Sequence, residues 1–273
     1  MRVLAINDVS CIGKCSLSVT LPILSACGIT CDVLPTALLS THTGGFDGYT
    51  FLDLTSEMES ILAHWKTLNI KFDIVYSGYL GNEKQIAIVR KIKNEFLTKD
   101  GIFVVDPVMG DSGALYDGFN EHYVNTMREL CREADYILPN LTEACLLAKI
   151  PFMHTPTKES LDALLSELVT VCQRPIVTGI LQDKEISIYY ATKQSINKYV
   201  SQNVDGFFCG AGDVFASAFI GALLFGKSED DAIRLSADFT NASIRRSAKE
   251  VEDKRYGLNF ERELFTFLKN LHE

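Results

Sequence analysis

No stretch of the chain reaches the roughly 18 consecutive apolar residues a membrane helix needs, so no membrane span is expected. Positive charge is also scarce: 26 Lys and Arg stand against 35 Asp and Glu, a formal net charge of −9. That argues against nucleic-acid binding through a broad basic surface. A polyanionic substrate would need local help from main-chain N–H groups, a few Lys or Arg, or a divalent cation. Linkers are missing as well. No Pro/Ser-rich segment or composition shift divides the 273 residues, and 1–273 reads as one domain. A complete P-loop is absent: Gly13-Lys14 resembles its end, but the positions that need Gly and Ser or Thr hold Asp8 and Cys15. The opening Met1-Arg2-Val3-Leu4-Ala5-Ile6-Asn7-Asp8 reads as a first strand rather than an export signal. The expected compartment is therefore the cytoplasm. The eight cysteines (Cys11, Cys15, Cys27, Cys31, Cys131, Cys145, Cys172 and Cys209) are expected as free thiols there, not as disulfides or a zinc site.

What is present is an alternation of strands and helices. Strand patterns cover Arg2–Ile6, Cys31–Leu39, Asp73–Ser77, Ile102–Val105, Tyr136–Leu138 and Arg174–Gly179. Helical patterns cover Ser16–Leu24, Phe51–Leu68, Glu83–Phe96 and Ser160–Val171, with a further helix starting near Pro139–Glu143. Glu185–Ala191 and Gln194–Val200, joined by Thr192-Lys193, alternate like a hairpin and break the rhythm. Three helices close the chain, near 213–225, 229–247 and 260–271. The rhythm implies an α/β fold: a mostly parallel central sheet with helices on both faces. Ligands in such sheets bind outside the carboxyl ends of the strands.

Polar segments follow the strand patterns: Asn7-Asp8, the loop 41–45, Ser77–Tyr79, Asp106–Asp111, Asn140–Glu143 and Thr178. The last candidate is Gly210-Ala211-Gly212-Asp213, within the run 207–219. Its glycines permit a tight turn, and a helix beginning there offers unpaired N–H groups to an anion. Asp213 at that turn is placed to take a proton from a nucleophile attacking the anion. Small residues after it (Ala216, Ala218, Gly221, Ala222) let the helix pack closely.

These segments together resemble the ribokinase-like superfamily, and within it the pyridoxal kinases. Gly210-Ala211-Gly212-Asp213 is similar to the superfamily's carboxy-terminal signature. Asp106-Pro107-Val108-Met109-Gly110-Asp111 with Leu115-Tyr116 is similar to a pyridoxal-kinase segment. Pro139-Asn140-Leu141-Thr142-Glu143 resembles the metal-associated N-x-x-E element, and Thr41-His42-Thr43-Gly44 a substrate loop. The resemblance spans nearly the whole chain. It implies ATP-dependent phosphorylation of the 5′-hydroxymethyl group of vitamin B6. On it, Asp213 is the base and Gly210, Ala211 and Gly212 build the anion hole. Asp8, His42, Thr43 and Tyr79 line the vitamin pocket. Asn140, Thr178, Gly210 and Gly212 face ATP, and Asp106, Asp111 and Glu143 position Mg²⁺. A monovalent cation is a further candidate. No large β lid is expected, because Asn7 leads directly towards a helix. Relatives imply a homodimer. A hydroxymethylpyrimidine kinase, a sugar or nucleoside kinase and a non-catalytic binding protein on the same fold remain open alternatives. Substrates are then small molecules, with no nucleic-acid or membrane partner.

Overall fold

The computed structural model describes residues 1–182, 184–192, 195–206, 208–250 and 252–273. Lys193 and Gln194 of the expected hairpin, and Phe207 beside the glycine turn, lie outside the described residues. The fold is α/β, with a mostly parallel sheet flanked by helices. The chain divides into two compact units, Met1–Phe72 with Val204–Glu273, and Asp73–Asn203.

The first unit opens with β1 (Arg2–Ile12), α1 (Leu17–Ala26), β2 (Thr30–Thr41), β3 (Phe51–Asp53) and α2 (Thr55–Thr67). Val3, Leu4, Ala5 and Ile6 are fully buried, as expected of a strand covered on both faces. β1 and β2 run parallel, and β3 pairs antiparallel with β2. The strand is longer than expected, so Asn7 and Asp8 lie inside β1 and not in a loop at its end. The register shifts there: Asn7 faces Pro35, but Val9 faces Leu38. Pro35 has no N–H for the ladder, and the extra residue on β2 makes a bulge that re-aims the side chains beside it. The expected helix from Phe51 likewise begins as a strand, because Phe51-Leu52-Asp53 pairs with Ala37–Leu39.

The second unit contains β4 (Phe72–Ser77, from Asp73 onward), α3 (Glu83–Phe96), β5 (Leu97–Val105), β6 (Gly110–Asp111), β7 (Ala114–Leu115), α4 (Glu121–Cys131), β8 (Tyr136–Ile137), α5 (Leu141–Ala148), α6 (Lys158–Val169), β9 (Ile176–Gln182), β10 (Glu185–Ala191) and β11 (Ile196–Gln202). Strands β4, β5 and β8 lie side by side in that order, β5 and β8 parallel. The α4 helix is not anticipated above, although Asn120 caps it and Tyr123, Val124, Met127, Leu130 and Cys131 form its buried face. β9 does not end at Gly179 as expected. It continues to Gln182 as an arm of an antiparallel sheet with β10 and β11. Val177 faces Tyr189 and Ile180 faces Ser187, so β9 carries one extra residue at Thr178-Gly179. Gly179, at φ 69°, takes the left-handed conformation that such a bulge demands.

The chain then returns to the first unit with α7 (Ala211–Leu224), α8 (Glu229–Glu250) and α9 (Leu264–His272), with 3₁₀ turns at Lys254–Tyr256 and Phe260–Arg262. The small residues of α7 serve close packing. A Cβ on Gly221 would stand 2.9 Å from Cys27 Sγ at the end of α1, and α7 packs on both α1 and α8. Among the described residues no helix is long and apolar enough to cross a membrane.

Candidate active site

In the first unit, Gly210 caps α7 in the left-handed conformation, with φ 77° and ψ 4°. A Cβ there would stand 2.1 Å from the Lys14 carbonyl oxygen. The position therefore needs glycine twice over, for its dihedrals and for the close approach. Asp213 falls in the first turn of α7. Its carboxylate accepts from the Ser16 N–H at 2.8 Å and from Asn7 Nδ2 at 3.3 Å. The sequence places Asn7 206 residues away, at the point where the β1–β2 register shifts. Burial pushes the Asp213 carboxyl up to about 6, and the charge of Asp8 adds to the shift against the two hydrogen bonds. The helix terminus favours an anion, but here desolvation prevails, which makes Asp213 a stronger base than an exposed aspartate.

Asp8 is buried, and its two oxygens accept from Ser16 Oγ and from Ser10 Oγ, the latter at 3.0 Å. Its own N–H donates to Asn7 Oδ1 at 3.0 Å. Burial raises the Asp8 carboxyl above its ordinary value, with the serine hydroxyls pulling the other way. His42 has both ring nitrogens engaged. Nε2 lies 2.6 Å from the Arg255 carbonyl, and Nδ1 accepts from the Gly44 N–H at 3.1 Å. That pattern puts the proton on Nε2. Thr43 is exposed beside it. Lys14, the lysine of the incomplete P-loop, spends its ammonium on Asn259 Oδ1 and Glu261 Oε2 at 3.1 and 2.8 Å. Cys209 fills space against Gly44, and burial pushes its thiol up to about 11, so it is a poor nucleophile near neutral pH.

In the second unit, Asn140 caps α5, accepting from the Glu143 N–H at 3.0 Å and donating Nδ2 to the Gly110 carbonyl at 2.8 Å. Glu143 closes the capping box: Oε2 accepts from the Asn140 N–H at 2.9 Å and Oε1 from the Met109 N–H at 3.1 Å. Thr142 Oγ1 accepts from the Gly113 N–H at 2.9 Å. The 109–113 segment that carries Asp111 is thus laced to the first turn of α5. Burial drives the Glu143 carboxyl well above the usual carboxylate range, Asp111 adds repulsion, and the main-chain N–H groups oppose both. Asp106 directly follows β5, and its N–H donates to the Ser77 carbonyl at 2.8 Å. Thr178 is bridged to Asn140, with its N–H donating to the Pro139 carbonyl at 2.9 Å. Tyr79 leads an aromatic row through Phe119 to Tyr123, whose hydroxyl donates to the Leu80 carbonyl. Replacing Asn140 by Ala removes a cap and strands the buried Gly110 carbonyl. It is expected to cost about 2 kcal/mol, read as a lower denaturant midpoint at unchanged slope.

Among the described residues, no three His, Cys, Asp or Glu side chains converge closely enough to cage a metal directly. Asp106, Asp111 and Glu143 offer oxygen only. Glu143, with three main-chain N–H groups already on its carboxylate, and Asp106 and Asp111 fit Mg²⁺ held mainly through waters and phosphate oxygens.

The expected residues thus form two groups. Asp8, His42 and Gly210–Asp213 gather in the first unit. Asp106, Asp111, Asn140, Glu143 and Thr178 belong to the second. Ser16 and Ser10 are contacts of the acids that the sequence does not flag, and Asn7 is singled out there only as a strand-end neighbour of Asp8: Ser16 reads as an ordinary helix start.

Residues 21–258 match the family described as phosphomethylpyrimidine kinase. A "putative phosphomethylpyrimidine kinase" from Bacteroides thetaiotaomicron, solved in an orthorhombic form with pyridoxal, is 37% identical, with a TM-score of 0.92 over 97% of this chain and 95% of that one. Pyridoxal kinase from Lactobacillus plantarum is 30% identical, with a TM-score of 0.91 over 98% and 96% of the two chains. A "putative pyridoxal kinase" of Schizosaccharomyces pombe is 26% identical over 95% of this chain and 88% of its own length.

Proposed function

The chain belongs to the phosphomethylpyrimidine kinase family and is an ATP-dependent kinase, and on that premise we propose that it phosphorylates the 5′-hydroxymethyl group of pyridoxal, pyridoxine or pyridoxamine. The observation that carries the reading is Asp213: a carboxylate in the first turn of a glycine-capped helix, held by Asn7 and the Ser16 N–H, with burial raising it to about 6. Such a group is ionised at neutral pH yet basic enough to accept a hydroxyl proton as the phosphoryl group moves. The relatives named for pyridoxal kinase, and the Bacteroides protein solved with pyridoxal, support the choice of alcohol.

In the proposed reaction, the substrate hydroxyl attacks the γ-phosphorus of ATP and ADP leaves. Asp213 takes the hydroxyl proton. The first N–H groups of α7, at Ala211, Gly212 and Asp213, have no preceding turn to donate to and stabilise the equatorial oxygens. Asn140 and Thr178 orient the nucleotide phosphates. Mg²⁺, positioned by Asp106, Asp111 and Glu143, would neutralise charge on the transferring phosphates. Asp8, Thr43 and Tyr79 contact the heterocycle, with His42 shaping the loop that carries Thr43. An acid at position 8 suits a ring N–H or hydroxyl donor. On this reading residues 1–273 act as one kinase domain, a homodimer in the cytoplasm, where its cysteines stay reduced. A monovalent cation is a further candidate cofactor.

A second reading, phosphorylation of hydroxymethylpyrimidine, is favoured by the description of the matching family. Both substrates are flat nitrogen heterocycles with a hydroxymethyl arm, so they differ at the pocket and not at Asp213. ADP release measured with pyridoxal, pyridoxine, pyridoxamine and hydroxymethylpyrimidine separates the two. The B6 vitamers are expected to give the higher kcat/KM; turnover of the pyrimidine alone overturns the choice.

A further inference from the structure

Ser16 occupies a conformation that its residue type does not favour. Its φ of 54° and ψ of −132° lie outside the right-handed, extended and left-handed helical regions of a side-chain-bearing residue. Lys149, also at positive φ, sits in the ordinary left-handed well at a helix end, with ψ 39°. Ser16 also stands at the N-cap of α1, where a serine hydroxyl normally accepts from the helix, and it makes no such bond. The hydroxyl is turned instead to Asp8, while the main-chain N–H of the same residue donates to Asp213. The fold thus accepts a strained backbone and an unfilled cap to hold both bonds.

We propose that Ser16 is a positioning residue that ties the substrate-pocket acid Asp8 to the base Asp213, so that a change in the charge of one is passed to the other. The inference rests on Asp213 being the base. Among the described residues, the titratable groups that act on Asp213 are Asp8 on β1, Cys15 before α1 and Cys209 before α7; on Asp8 they are His42 after β2, Asp213 and Cys15. Burial and the two carboxylates keep the Cys15 thiol protonated, and burial does the same for Cys209. His42 is fixed through both nitrogens by main chain. The two acids therefore act on each other without an intervening ionised thiol. Removing the Ser16 hydroxyl takes from Asp8 a donor that favours its charged form. Asp8 then holds its proton to higher pH, repels ionised Asp213 less, and lets Asp213 lose its proton at lower pH.

The test is a pH titration of the full chain by ¹³C NMR with labelled aspartate carboxyls, assigned with Asp8→Asn and Asp213→Asn. Ser16→Gly keeps the N–H and suits the backbone; Ser16→Ala keeps the N–H and the Cβ. In both, the Asp8 midpoint is expected to rise by roughly one pH unit, about one charge-assisted hydrogen bond's worth, and the Asp213 midpoint to fall by less. Unchanged midpoints in natively folded variants overturn the proposal, as does an Asp213 shift without one at Asp8. With whichever alcohol the wild type phosphorylates, the acid limb of kcat/KM should move to lower pH in both variants and should not move further when Ser16→Gly is added to Asp8→Asn. Additive shifts would contradict the coupling. The NMR arm needs no substrate, so failure of every vitamer and pyrimidine in the wild type would count against the proposed function and leave the coupling decided by the midpoints.

Discussion

Asp213→Asn lowers kcat by about 10²–10⁴-fold, the range in which a single general base contributes, while ATP binding by calorimetry stays near the wild-type value. The side chain keeps its shape, and the amide oxygen can still accept from the Ser16 N–H although the bond from Asn7 Nδ2 is lost, so the turn and its N–H groups persist. What is lost is the acceptor for the hydroxyl proton. In the wild type, kcat/KM should fall as pH drops through about 6, because protonation removes the same acceptor. Asp213→Asn should flatten that limb. Its stability should change the other way. The folded-state pKa is raised above the ordinary value, so the native chain binds this proton more tightly than the unfolded chain does. The contribution of Asp213 to stability is thus most favourable below its unfolded pKa and is lost as pH rises through about 6. At neutral pH the neutral asparagine is expected to raise Tm. A variant that loses activity but gains thermal stability is the signature of a group retained for chemistry. Near-normal turnover would remove Asp213 from the role of base and revive a binding protein or a different proton acceptor.

Gly210→Ala should be nearly as damaging for a different reason. The new Cβ would meet the Lys14 carbonyl at 2.1 Å on a backbone already at φ 77°. Lys14 cannot easily yield. Its N–H donates to the Tyr256 carbonyl at 3.0 Å, and its ammonium is tied to Asn259 and Glu261. The turn must move, and the N–H groups of α7 move with it. Dihedral strain plus the clash is expected to cost about 3 kcal/mol or more. The displaced anion hole should lower kcat by about 10²-fold or more. Gly226→Ala is the control. Gly226 follows the other end of α7 at φ 86°, with nothing within 4 Å of a new Cβ. It should suffer the dihedral strain alone and keep kcat. Equal effects at both sites would reduce Gly210 to an ordinary helix-end glycine.

Much of the sheet was readable because buried parallel strands leave unbroken apolar runs, such as Val3–Ile6 and Ile102–Val105. The turn before Asp213 was readable because glycines one residue apart before a small-residue helix have few other uses. The bulges were not. Alternation along a strand does not reveal where it or its partner gains a residue, so Asp8 and Thr178 looked like strand-end residues although β1 and β9 run past them. The fate of a hydroxyl was equally hidden. Ser16 precedes a helix, where serine ordinarily caps, and only the fold shows its oxygen turned to Asp8. His42 was readable as a residue of the polar loop after β2, but not its clasp on the Arg255 carbonyl 213 residues away. The α4 pattern was present in sequence and was overlooked, with Asn120 as its cap and Tyr123, Val124, Met127, Leu130 and Cys131 at helical spacing.

The central claim is that the first turn of α7 transfers a phosphoryl group to a hydroxymethyl oxygen. ³¹P NMR of the wild-type enzyme with ATP, Mg²⁺ and pyridoxine tests it most directly. The account predicts a phosphomonoester signal split by the two protons of the 5′-methylene, growing in step with ADP. Inorganic phosphate alone, or ATP left intact, would contradict it.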